Sequence, residues 1–454
     1  MPPPEPDRDL LRGRCEAVLR GNWRAGTLAP SETPFAYTCP SPGHYPWQWY
    51  WDSCLHAIAW RRLDPERPRR ELSTLLSAQR EDGFIGHTIF WDRPLSGVRR
   101  HTYNVLSPHA PMTASIQPPL LAWAWWIAVG DPAAEPGIVA QHEWLAANRD
   151  LDGDGLLWIV SPDESGLDAS PQFDPIWRRR AHSLPGYVAL VHRNRRLRFD
   201  ARRIDAAGGP ACCEVATNVF YGLSRLALGQ PTLTPALIER CWDERRGLFL
   251  PDARAGGRAI PGLRAITPAT VAALSPLALP DLPDAIGRRL VEEHLLDPSR
   301  FWTPVAPASV SVTEQSFSVR DRVLAGPRRY WRGPTWVNLA WLCWLGLVRL
   351  GYEQPAAELA RRMVAAVADS GVREYYNPFT RAGMGATEFA WSTLVMELAD
   401  PDLAAAATSH LGASAGDRDA GGQGQAQASA AVAPGSASVH DRTLALDAWR
   451  QSET

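Results

Sequence analysis

Residues 45–60 read YPWQWYWDSCLHAIAW, an aromatic cluster that runs directly into an apolar segment. No regular element can turn all of these rings toward one side, because helical residues spread around a circumference and strand residues alternate between two faces. Some of the rings must therefore line a cleft or a loop, whereas the segment 53–63 (SCLHAIAWRRL) has the composition of a buried helix. We predict the fold from this unit, a polar and aromatic cluster followed by an apolar helix.

The same unit recurs along the chain. Similar clusters lie at or just before other apolar helices: SIQPP (115–119), CCEV (212–215), YWRGPTW (330–336) and GATEFAWS (385–392). If these helices form an inner ring, the clusters meet at one end of a barrel and build a cleft there. We therefore predict an all-α fold with a few short β segments in its loops.

Helical periodicity dominates the sequence. The predicted helices are 53–63, 67–79, 113–129, 138–148, 211–228, 233–242, 268–275, 283–295, 335–350, 354–369 and 387–399. Two short segments, 156–160 and 186–199, are predicted to be able to pair as strands. Beyond residue 404 large apolar side chains almost disappear, which predicts a catalytic domain over 1–403 and a disordered tail over 404–454, with a short helix possible at 441–450.

Composition excludes several classes of partner. The chain has 454 residues, 45% of them hydrophobic, and a net charge of −2, so no overall field favours nucleic acid or an anionic membrane. Its most apolar run, 336–350, is too short to span a bilayer. The seven cysteines form no metal-like pair and are predicted to be free thiols, with Cys54, Cys212 and Cys343 buried. Since the N-terminus lacks the pattern of a secretory signal, we expect a cytoplasmic protein; no oligomeric state is predicted.

Two carboxylate-bearing segments could carry chemistry. The first, DESGLDASPQFDP (163–175), is either a solvated acidic loop or a tight loop that presents Asp168 between small residues. The second, REYYNPFTRAGMG (373–385), is either an ordinary loop or one that places Glu374 beside two tyrosines. Glycoside hydrolysis needs such a pair, a protonated acid for the leaving oxygen and a carboxylate that activates water or attacks directly.

Two further motifs stand near these segments. Within YWRGPTW, Arg332 could pair with a carboxylate, contact substrate or serve the fold alone. The spacing of Asp150, Asp152 and Asp154 matches the start of a calcium-binding EF-hand loop, but Ser161 stands where the closing glutamate is needed. We therefore favour a tight hydrogen-bonded turn over a calcium site, and we predict no metal and no cofactor.

Taken in order, WQWYWDS, ESGLDASP, YWRGPTW and EYYNPFTRAGMGATEFAWS resemble glycoside hydrolase family 63 and its trehalase-like relatives. The similarity covers about residues 30–400 and is greatest to the short, single-domain branch that contains mannosylglycerate and glucosylglycerate hydrolases. It implies an (α/α)6 barrel that hydrolyses α-glycosides with inversion, with Asp168 as general acid and Glu374 as general base. The implied sugar contacts are Tyr45, Trp49, Trp51, Asp52, Gln117, Tyr330, Trp331, Gly333 and Trp336, to which we add Arg332.

The sequence departs from the family pattern in one place. It reads SPQF (170–173) where many relatives read SPRF, which leaves the partner of Asp168 unassigned. A valine and asparagine cluster after the acid is present as EVATN (214–218).

The function implied is hydrolysis of a small soluble α-glucoside or α-mannoside, such as glucosylglycerate or mannosylglycerate. A trehalase-like enzyme or an α-glucosidase that acts on an oligosaccharide is an alternative. A sugar epimerase would also use an α/α barrel but would need paired histidines, for which residues 44, 56, 87 and 101 are available. A non-catalytic sugar-binding barrel would need neither Asp168 nor Glu374.

Overall fold

Helices dominate the part of the chain that the computed structural model describes, which comprises residues 8–29, 31–92, 97–102, 105, 111–178, 183–320 and 330–399. These residues all fall within one compact unit, Met1–Ala413. The predicted tail over 404–454, with its helix at 441–450, lies outside the described residues. The described α-helices, α1 to α16 in chain order, are Arg8–Asn22, Tyr50–Trp60, Glu66–Ser77, Gly97–Thr102, Leu121–Ala128, Pro136–Arg149, Asp174–Trp177, Leu184–Arg196, Ala201–Ala206, Val215–Ala227, Thr234–Cys241, Leu263–Ile266, Asp284–Leu290, Val337–Arg349, Glu353–Ser370 and Val395–Ala399.

Strands are short and form small antiparallel sheets between the helices. The described strands, β1 to β11, are Trp23–Leu28, Thr33–Thr38, Gln48–Trp49, Thr88–Ile89, Pro210–Cys213, Trp242–Asp243, Leu248–Phe249, Asp252–Ala255, Arg258–Ala259, Arg373–Tyr376 and Gly383–Thr387. Strands β5, β8 and β9 form one sheet, and the other strands pair as β1–β2, β3–β4, β6–β7 and β10–β11. Helices of the 3-10 type span Pro132–Ala134, Pro162–Ser165, Pro171–Phe173, Val271–Ala278 and Ala390–Leu394, and a π-helical turn spans Val291–Leu295.

Six apolar elements pack in a closed ring. Helix α2 contacts α5, α5 contacts α10, α10 contacts the 3-10 helix Val271–Ala278, and that helix contacts α14. Helix α14 in turn contacts the 3-10 helix Ala390–Leu394, which returns to α2. Across this ring the indoles of Trp123 and Trp341 stack with centroids 5.2 Å apart. All eleven residues of α2 are buried, including the polar residues Asp52, Ser53 and His56, so the helix lies in the interior.

Amphipathic helices cover the ring from outside. Helix α3 packs on α2, and α15 packs on α14. Helix α15 shows the pattern, since its buried residues share one stripe and its charged residues lie on the other faces: Ala356, Leu359, Met363, Val364, Ala366 and Val367 are buried. The mainly helical fold with short strands therefore confirms the predicted class.

Several predicted boundaries were wrong for local reasons. The helix predicted over 113–129 begins only at Leu121, because Pro118 and Pro119 lack the amide hydrogens that a helix interior needs. The segment 186–199, considered as a strand, is occupied mainly by α8. The helix predicted over 211–228 divides into β5 and α10, and the side chain of Glu214 caps α10 by accepting a hydrogen bond from the amide of Thr217.

Other differences concern short or polar elements. Helix α1 and the β1–β2 hairpin were not predicted. The segment 283–295 divides into α13 and a π-helical turn, and the segment 387–399 contains a 3-10 helix followed by α16. The helix predicted over 268–275 is the 3-10 helix Val271–Ala278. All seven cysteines are buried free thiols, which confirms the prediction. Within the described ranges, no helix combines the length and the apolar composition that crossing a bilayer requires.

Candidate active site

The aromatic run changes from strand to helix in its middle. Gln48 and Trp49 form β3, which pairs with β4, and α2 begins at Tyr50. The change directs the side chains to different surroundings. The ring of Trp47 packs on Phe90 at 5.3 Å, while the hydroxyl of Tyr50 donates to Gln141 at 3.0 Å. Trp49 remains only half-buried.

Glu374 lies on β10, and its side chain is held by two donors. Its exposed fraction is 2%. One carboxylate oxygen accepts a hydrogen bond from the amide of Ala386 at 2.9 Å, and the other accepts one from the hydroxyl of Tyr45 at 3.2 Å. Gly385 has φ +67°, and a Cβ there would lie 2.5 Å from the carboxylate, so only glycine fits beside it.

Asp168 lies in the loop that follows the 3-10 helix Pro162–Ser165, and it is half-buried. Its Oδ2 accepts a hydrogen bond from the hydroxyl of Tyr330 at 2.8 Å. The loop is tightly wound, because Gly166 has φ +70° and a Cβ there would lie 2.6 Å from the indole of Trp51. Trp51, which is 2% exposed, therefore supports the loop from beneath.

Aromatic rings connect the two carboxylates on one side. The phenol of Tyr330, which binds Asp168, lies 6.1 Å from the ring of Tyr375, measured between centroids. Tyr375 directly follows Glu374 in β10. The pair of Tyr330 and Tyr375 therefore connects Asp168 to the residue that follows Glu374.

A second series of contacts returns from Glu374 to the acidic loop. Tyr45, bonded to Glu374, packs edge-on against Trp49 at 5.7 Å, and Trp49 packs against His87 at 5.1 Å. The Nδ1 atom of His87 lies 3.9 Å from a carboxylate oxygen of Asp163, five positions before Asp168. Asp168 and Glu374 are therefore joined by a continuous series of contacts. We call this series the wall, and it comprises Asp163, Asp168, Tyr330, Tyr375, Glu374, Tyr45, Trp49 and His87.

The segment YWRGPTW supplies the packing behind this wall. The indoles of Trp331 and Trp336 stack 3.8 Å apart and nearly parallel, and both are buried. Trp336 also contacts the ring of Tyr375 at 4.5 Å. A Cβ on Gly333 would lie 2.5 Å from the carbonyl oxygen of Ser318, so this glycine permits a close backbone approach.

Asp52 and Gln117 are buried, whereas Asp168 is half-buried. Burial, followed by repulsion from Glu374, raises the pKa of Asp52 well above its ordinary range. This favours the protonated form of Asp52, which can donate a hydrogen bond. Gln117 is buried, and its side-chain oxygen accepts from the amide of Trp51 at 3.0 Å.

Arg332 and Gln172 have partners other than the two proposed catalytic carboxylates. The Nη2 atom of Arg332 lies 2.5 Å from Asp174, at the start of α7. Gln172, the glutamine of SPQF, donates to Glu214 at 3.2 Å and accepts from Thr270 at 3.3 Å. Burial raises the pKa of Glu214.

Sequence reasoning missed an ion pair that anchors the acidic loop. Arg149, at the end of α6, donates two hydrogen bonds to Glu164, at 2.7 and 2.8 Å, and both side chains are almost fully buried. Glu164 also accepts from the amides of Ile116 and Val160. The alternative of a solvated acidic loop is wrong for its first half, because Asp163 and Glu164 are both buried. The pattern of acidic residues was visible, but nothing in the spacing pointed to Arg149.

The calcium-like motif forms a turn closed by arginine. We call Asp150–Gly155 the aspartate turn. The carboxylate of Asp150 accepts from the amides of Gly153 and Gly155, at 2.7 and 2.9 Å. The guanidinium of Arg240 lies 2.9 Å from Asp152 and 2.6 Å from Asp154, where a cation would otherwise sit. Over the described ranges, no group of three or more metal-ligating side chains suits a metal ion.

The histidines considered for an epimerase do not gather at the wall. His56 is buried against Glu71 at 3.3 Å, and His101 contacts His192. His44 is exposed, with its ring 6.4 Å from that of Tyr45. Only His87 lies between the two carboxylate-bearing segments.

Comparison with known proteins identifies similar chains. A sequence model of the mannosylglycerate hydrolase MGH1-like glycoside hydrolase domain matches residues 45–392, which include every candidate site residue. The mannosylglycerate hydrolase of Thermus thermophilus is 29% identical over 412 residues, which cover 79% of this chain and 95% of that protein. The glucosylglycerate hydrolase of Mycolicibacterium hassiacum is 27% identical over 445 residues, which cover 84% of this chain and 96% of that protein. The crystal structure of the family 63 mannosylglycerate hydrolase from Thermus thermophilus, in complex with Tris and D-glycerate, matches with a TM-score of 0.69 at 26% identity, covering 86% of this chain and 99% of that one.

Proposed function

Because the chain belongs to the mannosylglycerate hydrolase MGH1-like glycoside hydrolase family, and is therefore a glycosidase, we propose that it hydrolyses a small α-glycoside of glycerate with inversion. The sugar is glucose or mannose, since the two kinds of relatives described above are glucosylglycerate and mannosylglycerate hydrolases. The observation that carries the proposal is the wall that joins Asp168 to Glu374, with each carboxylate bonded to a tyrosine hydroxyl.

The fold that we propose is an (α/α)6 barrel. The closed ring of six apolar elements supports it as the inner ring of such a barrel, and the amphipathic helices outside would form the outer ring. In such a barrel the clusters that precede the inner helices would meet at one end, and we propose that the wall lies there. We propose that the catalytic domain spans residues 1–403.

Asp168 acts as the general acid in this mechanism. Its proton passes to the glycosidic oxygen as the bond from that oxygen to the anomeric carbon breaks. Glu374 acts as the general base and takes a proton from the water that attacks the opposite face of the sugar. Such a water needs space, so we expect the two carboxyl groups to lie about 6.5–9.5 Å apart with substrate bound.

The side chains of the wall bind the sugar. Trp49 and Tyr330 offer aromatic faces, which suit the apolar side of a sugar ring. Within the described part of the chain, the indole N–H of Trp49 has no hydrogen-bond partner, so a substrate hydroxyl could satisfy it. Asp52 would donate or accept a further hydrogen bond, and Trp51, Gln117, Trp331, Gly333 and Trp336 would hold these groups in place.

The test is hydrolysis by the purified protein of glucosylglycerate, mannosylglycerate, trehalose and kojibiose. We expect release of monosaccharide from one or both glycerate glycosides, and NMR of the first-formed sugar should show the β-anomer. Asp168→Asn and Glu374→Gln should each abolish turnover. Glu353→Gln, which changes an exposed carboxylate at the start of α15, is the matched control and should retain activity.

Two results would contradict the proposal. No release of monosaccharide from either glycerate glycoside would exclude the substrate class. A first-formed α-anomer would make Glu374 a nucleophile instead of a base, because retention proceeds through a covalent intermediate.

A further inference from the structure

The segment that carries the proposed acid is buried almost throughout. Every residue from 156 to 173 is buried except Asp168, which is half-buried. The backbone groups of a buried segment need fixed hydrogen-bond partners, so such a segment has little freedom to change its course. The exposure of Asp168 therefore depends on how the backbone turns at this residue.

A β-turn places Asp168 at its corner. The amide of Ser170 donates to the carbonyl of Leu167 at 3.0 Å, so Asp168 and Ala169 are the two central residues of the turn. Ala169 has φ +59°, in the left-handed region. A positive φ at the third position of a β-turn is typical of glycine or asparagine. Alanine is strained there, because its Cβ comes too close to the following carbonyl oxygen.

The methyl group of Ala169 also restricts the turn. A residue with a Cβ has only a small allowed region at positive φ, whereas glycine can adopt many more conformations. Ala169 is 7% exposed, so its methyl group lies in the interior. Glycine at this position would relieve the strain and loosen the turn at the same time. Alanine therefore keeps the turn in one conformation at some loss of stability.

The chain that enters the β-turn is held by side chains from elsewhere in the fold. Asp163 accepts a hydrogen bond from the hydroxyl of Tyr187, in α8, at 3.3 Å. Gly166 lies against the indole of Trp51. Because the approach to the turn is fixed in this way, the direction in which Asp168 points depends on the conformation of the turn itself.

We propose that Ala169 is a positioning residue, which confines the β-turn to one conformation and so fixes the direction in which Asp168 presents its carboxyl group. The inference rests on the proposed function, in which Asp168 protonates the leaving oxygen. Tyr330 holds the end of the Asp168 side chain, whereas the turn sets the direction of its bond from Cα to Cβ. A misplaced acid transfers its proton more slowly, and a displacement of about 1 Å can lower a rate about 100-fold.

The first test compares two alanine-to-glycine variants of equal burial. Ala36, also 7% exposed, lies in the extended strand β2 and is the matched control. Ala36→Gly should lower Tm by about 2 °C or more, because it removes a buried methyl group and makes the unfolded chain more flexible. Ala169→Gly has the same losses but relieves the left-handed strain, so its Tm should stay within about 1 °C of the wild-type value. An equal fall in both variants would overturn the proposal.

The second test is the rate of hydrolysis by Ala169→Gly. For the glycerate glycoside that the wild type hydrolyses, kcat should fall about tenfold or more while KM stays within about twofold, because only proton transfer is impaired. An activated aryl glycoside of the same sugar has a leaving group that needs little protonation, so its kcat should stay near the wild-type value. Ala169→Ser keeps the Cβ and its restriction on φ, and should retain kcat within about threefold on both substrates.

Three kinetic results would overturn the proposal. One is an unchanged kcat of Ala169→Gly on the glycerate glycoside. Another is an equal fall in kcat on both substrates, which a purely structural role would produce. The third is a loss in Ala169→Ser as large as that in Ala169→Gly. If the wild type hydrolysed no glycoside, the proposed function would fail, while the comparison of Tm values would still test the conformation of Ala169.

Discussion

The ion pair between Arg149 and Glu164 should contribute more to stability than any surface pair of this protein. Arg149→Met removes the guanidinium and leaves Glu164 buried with, among the described residues, only the amides of Ile116 and Val160 as donors. Removing one partner of a buried ion pair costs about 3–5 kcal/mol. At about 2.1 cal/mol/K per residue, a domain of roughly 400 residues has an unfolding entropy of about 0.8 kcal/mol/K. A loss of about 4 kcal/mol therefore lowers Tm by about 5 °C.

A double-mutant cycle separates the pair from its surroundings. In Arg149→Met with Glu164→Gln, neither charge remains, so the double variant should be more stable than Arg149→Met alone. We expect a coupling energy of about 2–3 kcal/mol, measured by urea denaturation. The control is Arg20→Met, which breaks the exposed pair between Arg20 and Glu16, whose side chains are 50% and 37% exposed, and should cost at most about 0.5 kcal/mol.

The cycle also has a functional readout. Glu164 lies between Asp163 and the tight loop of Asp168, so loss of its anchor should lower kcat even at temperatures where the variant stays folded. If the free-energy costs of the two single variants sum to that of the double variant within about 0.5 kcal/mol, the two side chains do not interact. This result would refute the predicted coupling.

Three further predictions concern the acidic loop and the aspartate turn. Asp163→Asn removes a carboxyl group whose pKa is about 7 in the folded protein and near 3.8 in the unfolded chain, so the stability that this proton contributes to the wild type is lost as pH rises from 4 to 8. The unfolding free energy of the variant relative to wild type should therefore rise by about 4 kcal/mol across this window, and parallel stability curves from urea denaturation would contradict this. Gly166→Ala should lower kcat and destabilise the protein by about 2 kcal/mol or more, since it adds a clash with Trp51 to the backbone strain. Gly153→Ala, with a similar φ and open space around it, isolates the strain alone, and equal losses in the two variants would exclude the clash. Calcium or a chelator should leave Tm unchanged, because Arg240 and Arg254 already form ion pairs with carboxylates of the aspartate turn; a rise of more than about 2 °C with calcium would show that the ion displaces them.

The sequence predicted best those elements whose own residues specify them. Helix α14 is apolar on every side and followed by a glycine, so only its ends differed from the prediction, by a residue or two. Helix α1 carries its buried side chains at regular spacing, Leu11, Cys15 and Leu19, but they are too few to stand out among charged neighbours. The segment 186–199 contains the apolar run YVALV (187–191), and a short run of this kind cannot be assigned to a strand or a helix by periodicity alone.

The same limit applies to the candidate site. Asp168 and Glu374 were singled out because each stands in an unusual local setting, and the roles predicted for them come from the family resemblance. Asp163 was read as one of several acidic residues, since its environment depends on Tyr187 and His87, which are distant in sequence. A pKa depends on burial and on neighbours in space, and neither can be counted along the chain.

The tyrosine that holds each proposed catalytic carboxylate comes from a distant part of the polypeptide. The bond from Tyr45 to Glu374 joins residues 329 positions apart, and that from Tyr330 to Asp168 joins residues 162 positions apart. Closing such long loops has an entropic cost that helix formation, which links residues four positions apart, avoids. During refolding, circular dichroism should therefore recover before hydrolysis does. A single proteolytic cut between residues 45 and 374 that lets the two ends separate would remove the hydroxyl of Tyr45 from Glu374.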